Sequence, residues 1–119
     1  MPDGTNHKQY DLEDRCLRFA KAVNKYVKSL PKTVASIENG KQLVRAAGSV
    51  GANYIEANEA VIRRDFIHRI RICKKEAKES QYWLRLTEPT DDNVQQRDQL
   101  IAEVIELMKI FGAILQRTK

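Results

Sequence analysis

Helix-breaking residues are scarce in this 119-residue chain, which has five glycines and three prolines. Pro2, Pro31 and Pro89 fall at breaks in the apolar pattern, and that punctuation favours a helical protein over a turn-rich one. Cysteine is nearly absent. Cys16 and Cys73 each lie on an apolar helical stripe with no nearby partner in sequence, so both read as small buried hydrophobes in a reducing compartment. Histidine is limited to His7 and His68. A di-metal helical bundle draws on two Glu-x-x-His pairs plus two further glutamates, so no metal site and no cofactor is expected. No glycine-rich phosphate loop or nucleophile elbow occurs. Ser49 has no histidine near it in sequence, and Glu76 and Glu79 suit ion pairing better than acid–base chemistry. No catalytic residue is therefore assigned. No apolar run approaches the length of a membrane span. The opening MPDGTNHKQ has no signal-peptide core, and the cytoplasm is the expected location.

Charge and grease are both plentiful. Charged residues make up 31% of the chain and hydrophobic ones 42%, with a net charge of +5. That balance excludes wholesale disorder, and the length suits one domain with its own core. The positive excess suits polyanion contact, and equally a solvated lysine-rich surface.

Residues 1–10 carry no periodicity and are expected to form a disordered lead-in, with residues 11–119 as the folded domain. Asp11 can cap a first helix whose seam is Leu12, Cys16, Ala20, Val23, Val27 and Leu30, flanked by Phe19 and Tyr26. Pro31 ends it. A second helix is expected over residues 33–57, and Asn39-Gly40, a common turn pair, leaves a kink there open. Its second half is QLVRAAGSVGANYIEA. Leu43, Ala47, Val50, Tyr54 and Ala57 make its seam, and Gly48 and Gly51 stand inside it. A glycine in a helix costs about 1 kcal/mol against alanine, so close approach of another backbone is expected. Arg45, Ser49, Asn53 and Glu56 form a polar row on the same helix.

Residues 58–64 read as a connection, with Asp65 opening a third helix. Its seam is Phe66, Ile70, Cys73, Ala77, Ser80 and Leu84, and Thr87-Glu88-Pro89 stops it. Thr90, Asp91 and Asp92 suit the start of a fourth helix running to about Gln116. Ile101, Val104, Met108, Phe111 and Leu115 are its seam; Leu100, Ile105, Leu107, Ile110 and Ile114 widen the apolar band beyond what one partner face takes up. Burial against a second subunit is the expected use of that excess. Short connections imply an all-α, antiparallel, up-down-up-down four-helix bundle.

Gln42-Leu43, Arg45, Ser49-Val50, Asn53, Glu56-Ala57, Phe66, Lys75-Glu76-Ala77, Glu79 and Tyr82-Trp83-Leu84 together resemble the "four helix bundle protein" family. That family includes proteins encoded in intervening sequences of bacterial large-subunit ribosomal RNA genes, and accessory variability determinants of diversity-generating retroelements. The resemblance covers about residues 11–117. It implies a four-helix bundle that assembles into a ring, commonly a pentamer, with a basic surface. In the retroelement branch that surface contacts nucleic acid and a reverse transcriptase. Similar sequences often have Ser where this chain has Ile62, so a cap of the third helix is missing.

Two constellations stand out. Arg64, His68, Arg71, Lys75 and Lys78 repeat at four-three spacing, with Lys74 and Arg85 alongside. Arg18, Lys21, Lys25, Lys28 and Lys32 form a similar row on the first helix. Such rows suit phosphate neutralisation, and a ring would multiply weak contacts. No aromatic platform interleaves with the third-helix row, so base stacking is not expected. The second constellation is the strip Arg69, Ile72, Glu76, Glu79, Trp83 and Leu86, which resembles an interface. Arg45 and Glu56 are the expected partners of Glu79 and Arg69.

The resulting expectation is a non-enzymatic homo-oligomer that presents Arg64, His68, Arg71, Lys74, Lys75 and Lys78 to RNA or DNA, as an accessory to an enzyme such as a reverse transcriptase. Arg45, Ser49, Asn53, Glu56, Glu76, Glu79 and Trp83 would hold its fold and assembly. The competing reading is an interaction scaffold whose charge serves solubility.

Overall fold

A computed structural model describes the backbone of residues 4–118 and the side chains of residues 11–118. Four helices account for nearly all of it: α1 (Gly4–Lys28), α2 (Val34–Asn58), α3 (Arg63–Leu86) and α4 (Val94–Arg117). No strand occurs among the described residues.

The helix ends follow from local chemistry. Helix α1 begins at Gly4, ahead of the expected Asp11, since no proline interrupts the stretch between them; residues 1–3 of the expected lead-in lie outside the described residues. Its last turn closes with Ser29 N–H and Leu30 N–H donating to the carbonyls of Tyr26 and Val27 at 2.9 and 3.1 Å. Pro31 cannot extend that ladder. Thr33 caps α2 through its hydroxyl oxygen, which accepts from Ser36 N–H at 3.1 Å. Helix α2 runs unbroken through Asn39 and Gly40. Gly40 is buried there, and an added Cβ would meet Val27 Cγ1 at 2.9 Å. The glycine serves close helix packing, not a turn.

Helix α3 starts at Arg63, two residues before Asp65, and Ile62 at its N-cap provides no side-chain hydrogen bond. Asp65, in the first turn, is the acidic residue that complements the uncapped amides. At the far end Thr87 Oγ1 donates to Leu84 O at 2.6 Å and accepts from the Tyr26 hydroxyl at 2.7 Å. This buried bond ties α1 to the turn after α3. Thr90 and the two aspartates do not cap α4 directly. A single 3-10 turn, Asp91–Asn93, comes first, and Thr90 Oγ1 accepts from the Asn93 side chain at 3.1 Å.

Contacts between α1 and α2, and between α2 and α3, run in opposite senses, as antiparallel neighbours require. Gly40 meets Val27 while Gly51 meets Cys16; Arg45 reaches Glu79 while Asn53 reaches Arg69. Helices α2 and α3 pack most extensively, and α1 and α4 least. A bidentate pair spans that looser seam: Arg15 Nε and Nη2 donate to the Glu103 carboxylate at 2.7 and 2.8 Å. The carboxylate raises the Arg15 pKa.

One core runs the length of the bundle. Leu43, Ala47, Val50, Tyr54 and Ala57 of α2 are all buried in it, as their spacing requires. On α1, Phe19 and Tyr26 are buried while Ala20 and Val27 are half-buried, so the inward face is rotated slightly from the expected seam. On α4 the buried line is Leu100, Val104, Leu107 and Phe111. Ile101, Met108, Ile110, Ile114 and Leu115 pack against that core as half-buried flanks. The wide band of α4 is thus largely taken up inside its own bundle, because two neighbours flank this helix. The large hydrophobics left exposed lie on α1, α2, α3 and the α2–α3 connection. Both thiols are fully buried and free, and burial pushes each up to about 12.

Candidate nucleic-acid interface

Helix α3 contains eight Lys and Arg against three Asp and Glu. Its net charge of +5, with histidine neutral, equals that of the whole chain. The rest of the chain sums to zero, with α1 carrying six Lys and Arg against three Asp and Glu and the compensating acids lying mostly in the connections. Two of the three acids of α3 turn away from the cations, while Asp65 stays exposed in the first turn. Glu76 and Glu79 turn toward α2, where Arg45 Nη2 lies 3.4 and 3.2 Å from their carboxylates.

Arg64, His68, Arg71, Lys74, Lys75, Lys78 and Arg85 are all exposed. Among the described residues none of these cations takes part in an ion pair, whereas Arg15, Arg18, Lys41, Arg45, Arg97 and Lys109 each have an acidic partner. Six of the seven α3 residues lie within about 100° of helix surface at 100° per residue. Lys74 stands apart, its ammonium over Gly112 of α4. At the start of α3 an open pocket of about 540 Å³ is lined by Arg63, Arg64, Asp65, Ile67, His68 and Arg71. Arg63 is engaged there with the Thr118 carbonyl at the end of α4.

The basic row does not end at Lys78. Its four-three spacing continues to Tyr82 and then Arg85, and Tyr82 is 59% exposed. An aromatic group therefore does stand on this face, contrary to the expectation from charge alone. Counting ring-bearing residues at the same spacing was the signal available in the sequence. Tyr82 packs edge-on against Trp83, with centroids 5.0 Å apart and planes at 77°. Lys78, Gln81, Tyr82, Arg85 and Leu86 line an open pocket of about 530 Å³ beside it.

The polar row of α2 faces α3 within the same chain. Arg45 pairs with Glu79 as expected, and also with Glu76. Arg69, however, donates to Asn53 Oδ1 at 2.9 Å and not to Glu56. Asn53 in turn donates to the Ser49 carbonyl at 2.9 Å. Glu56 is exposed on the outer side of α2. Glu76 is 7% exposed, and its Oε1 lacks a hydrogen bond. Trp83 is half-buried against the core.

A second surface lies on the α1 side of α2. Ile37, Val44 and Ile55 are exposed in one line, and Gly48 lies between the latter two with nothing within 4 Å of an added Cβ. Below them an open groove of about 490 Å³ is lined by Val27, Leu30, Pro31, Ile37, Gly40 and Val44, among others. The first-helix cations Arg18, Lys21, Lys25, Lys28 and Lys32 are exposed too, with Arg18 paired to Asp14. Among the described residues no group of three or more His, Cys, Asp or Glu could hold a metal ion. No described helix is long and apolar enough to cross a membrane.

Comparison with known proteins gives a consistent result. Residues 8–113 match the model of the 23S rRNA-intervening sequence protein family. A crystal structure of a protein of unknown function from the S23 ribosomal protein family, from Bacteroides thetaiotaomicron, superposes with a TM-score of 0.75 at 32% identity. The match covers 92% of this chain and 98% of that one. Neither description mentions a retroelement, so that part of the resemblance gains no support here. No curated protein matches the chain.

Proposed function

The chain belongs to the 23S rRNA-intervening sequence protein family, and on that footing we propose that it is a non-enzymatic, self-associating bundle that holds RNA or DNA along α3. The observation that supports this reading is the row of exposed cations on α3 with no acidic partner among the described residues, on a helix whose net charge equals that of the whole chain. A solvated face needs only scattered charge. A row with two of its helix's three acids turned toward α2 leaves a positive strip about 31 Å long at 1.5 Å per residue from Arg64 to Arg85, which suits a phosphate backbone. A surface that holds a strand without cleaving it also suits an accessory to an enzyme acting on that strand, such as a reverse transcriptase.

Self-association is supported by the apolar line Ile37, Val44 and Ile55 with Gly48 open between the latter two. A ring of copies, five by the resemblance, would cover that line and repeat the basic strip around its rim.

The test is a salt titration of RNA binding. Five contacted phosphates on a single strand give a log–log slope of about −3.5. Arg71→Glu with Lys75→Glu should flatten it and weaken binding to every sequence alike. A flat slope in the unaltered protein, or no binding at low salt, would leave the interaction-scaffold reading in place. Light scattering across a concentration series tests the assembly, and a mass that stays at 13.7 kDa would refute it.

A further inference from the structure

We infer that Tyr82 is a stacking platform for one unpaired base, so that the α3 strip holds single-stranded nucleic acid in preference to duplex. This inference rests on the nucleic-acid reading above and specifies what that surface recognises.

Three observations converge. Tyr82 lies in the row itself, four residues after Lys78 and three before Arg85, so cations flank the ring on both sides along the helix. More than half of Tyr82 is exposed, yet its orientation is set by the edge-on contact with Trp83. A fixed ring loses little freedom when a second ring settles on it. The pocket beside it combines what one nucleotide presents: the aromatic face of Tyr82 and the apolar Leu86 for the base, the Gln81 amide for its polar edge, and Lys78 and Arg85 for the phosphates on either side.

A paired base has no free face to offer, because its neighbours in the duplex cover both. A duplex could still touch the cations, but it would leave the ring and Leu86 in water. The absence of acidic partners among the described residues for Lys78 and Arg85 favours a polyanion over an acidic-and-basic protein surface.

Trp83 is the sole tryptophan, which makes the experiment direct. Its fluorescence is recorded while the full chain is titrated with a short single-stranded RNA and, separately, with the same sequence as a duplex. The single strand should quench Trp83 and bind roughly tenfold tighter than the duplex after correction for charge. Tyr82→Ala should lose about tenfold toward the single strand and nothing toward the duplex, with an unchanged salt slope, since no phosphate contact is removed. Tyr82→Phe should bind like the parent. Because Tyr82 is exposed, neither change threatens folding, and circular dichroism checks this. Equal single-strand affinity for Tyr82→Ala and the parent overturns the platform while leaving phosphate binding along α3 intact. Equal weakening toward both forms also overturns it. If the parent binds neither form, the platform and the reading beneath it fail together.

Discussion

Helix α2 contains three glycines in three different environments, and replacing each by alanine separates packing within the chain from packing between chains. An added methyl at Gly48 meets nothing within 4 Å. Alanine there removes the helix penalty of about 1 kcal/mol with no steric charge against it. For a domain of this size that raises the melting temperature by about 3–5 °C. At Gly40 the methyl would come 2.9 Å from Val27 Cγ1, on a β-branched side chain with little room to rotate. Overpacking of about 1–3 kcal/mol outweighs the helix gain, for a net loss of about 1 kcal/mol. At Gly51 the obstacle is Cys16 Cβ at 3.1 Å, with the Cys16 backbone carbon 3.9 Å away, and a similar loss is expected. Urea unfolding followed by circular dichroism, at concentrations low enough to keep the chain single, should rank Gly48→Ala above the parent and the other two below it. Light scattering at high concentration should show the same Gly48→Ala variant assembling less, since the methyl sits on the face proposed to be covered. A destabilised Gly48→Ala at low concentration would refute the open-space reading. A stabilised variant with undiminished assembly would move the contact elsewhere.

The other predictions concern the interior. Arg45→Ala removes the cation beside the nearly buried Glu76 and should destabilise the α2–α3 pair by about 1–2 kcal/mol, less than for a wholly buried pair because Arg45 is half exposed. Adding Glu76→Gln should recover part of that loss in a double-mutant cycle, and additive losses would show that the two do not communicate. Tyr26→Phe deletes the buried bond to Thr87 and should cost about 1–2 kcal/mol in urea unfolding; a loss below a few tenths would show that water replaces the hydroxyl. Burial holds Cys16 and Cys73 neutral up to about 12, while in the unfolded chain thiols ionise from about pH 8.5. Stability should thus be full below that pH and fall above it by about 1.4 kcal/mol per pH unit per thiol. Cys73→Ala should make the alkaline slope shallower, whatever its effect at neutral pH.

Much of the bundle could be read from spacing, and the exceptions have physical causes. Every seam residue named for α2 is buried, because that stripe faces the core along the helix, while the second apolar line of Ile37, Val44 and Ile55 stays exposed. On α4 two apolar rows lie side by side, so periodicity alone cannot say which turns inward. The neighbouring helices decide it, and Leu100 and Leu107 go deeper than Ile101 and Met108. The start of α3 shifts because Ile62 carries no capping oxygen, and boundaries without caps have no local marker. Arg69 finds Asn53 while Glu56 stays exposed, because which residues of two helices meet depends on their relative register and rotation, which the spacing within each does not encode. The basic residues of the candidate interface were visible in the sequence as a row, with Lys74 beside it. Tyr82 is absent from any list built on charge, although it obeys the same spacing.

The concentration of positive charge on α3 has a kinetic consequence. The molecule is an electric arrow, with a positive head along α3, a weaker excess on α1 and the compensating acids mostly in the connections. Its thinnest dimension is 19 Å, while ions at physiological strength screen a field within about 8 Å. A polymer drifting past the rear is scarcely felt; one drifting past the head exerts a torque that rotates the protein before the two collide. Added salt should therefore slow arrival more than it hastens departure.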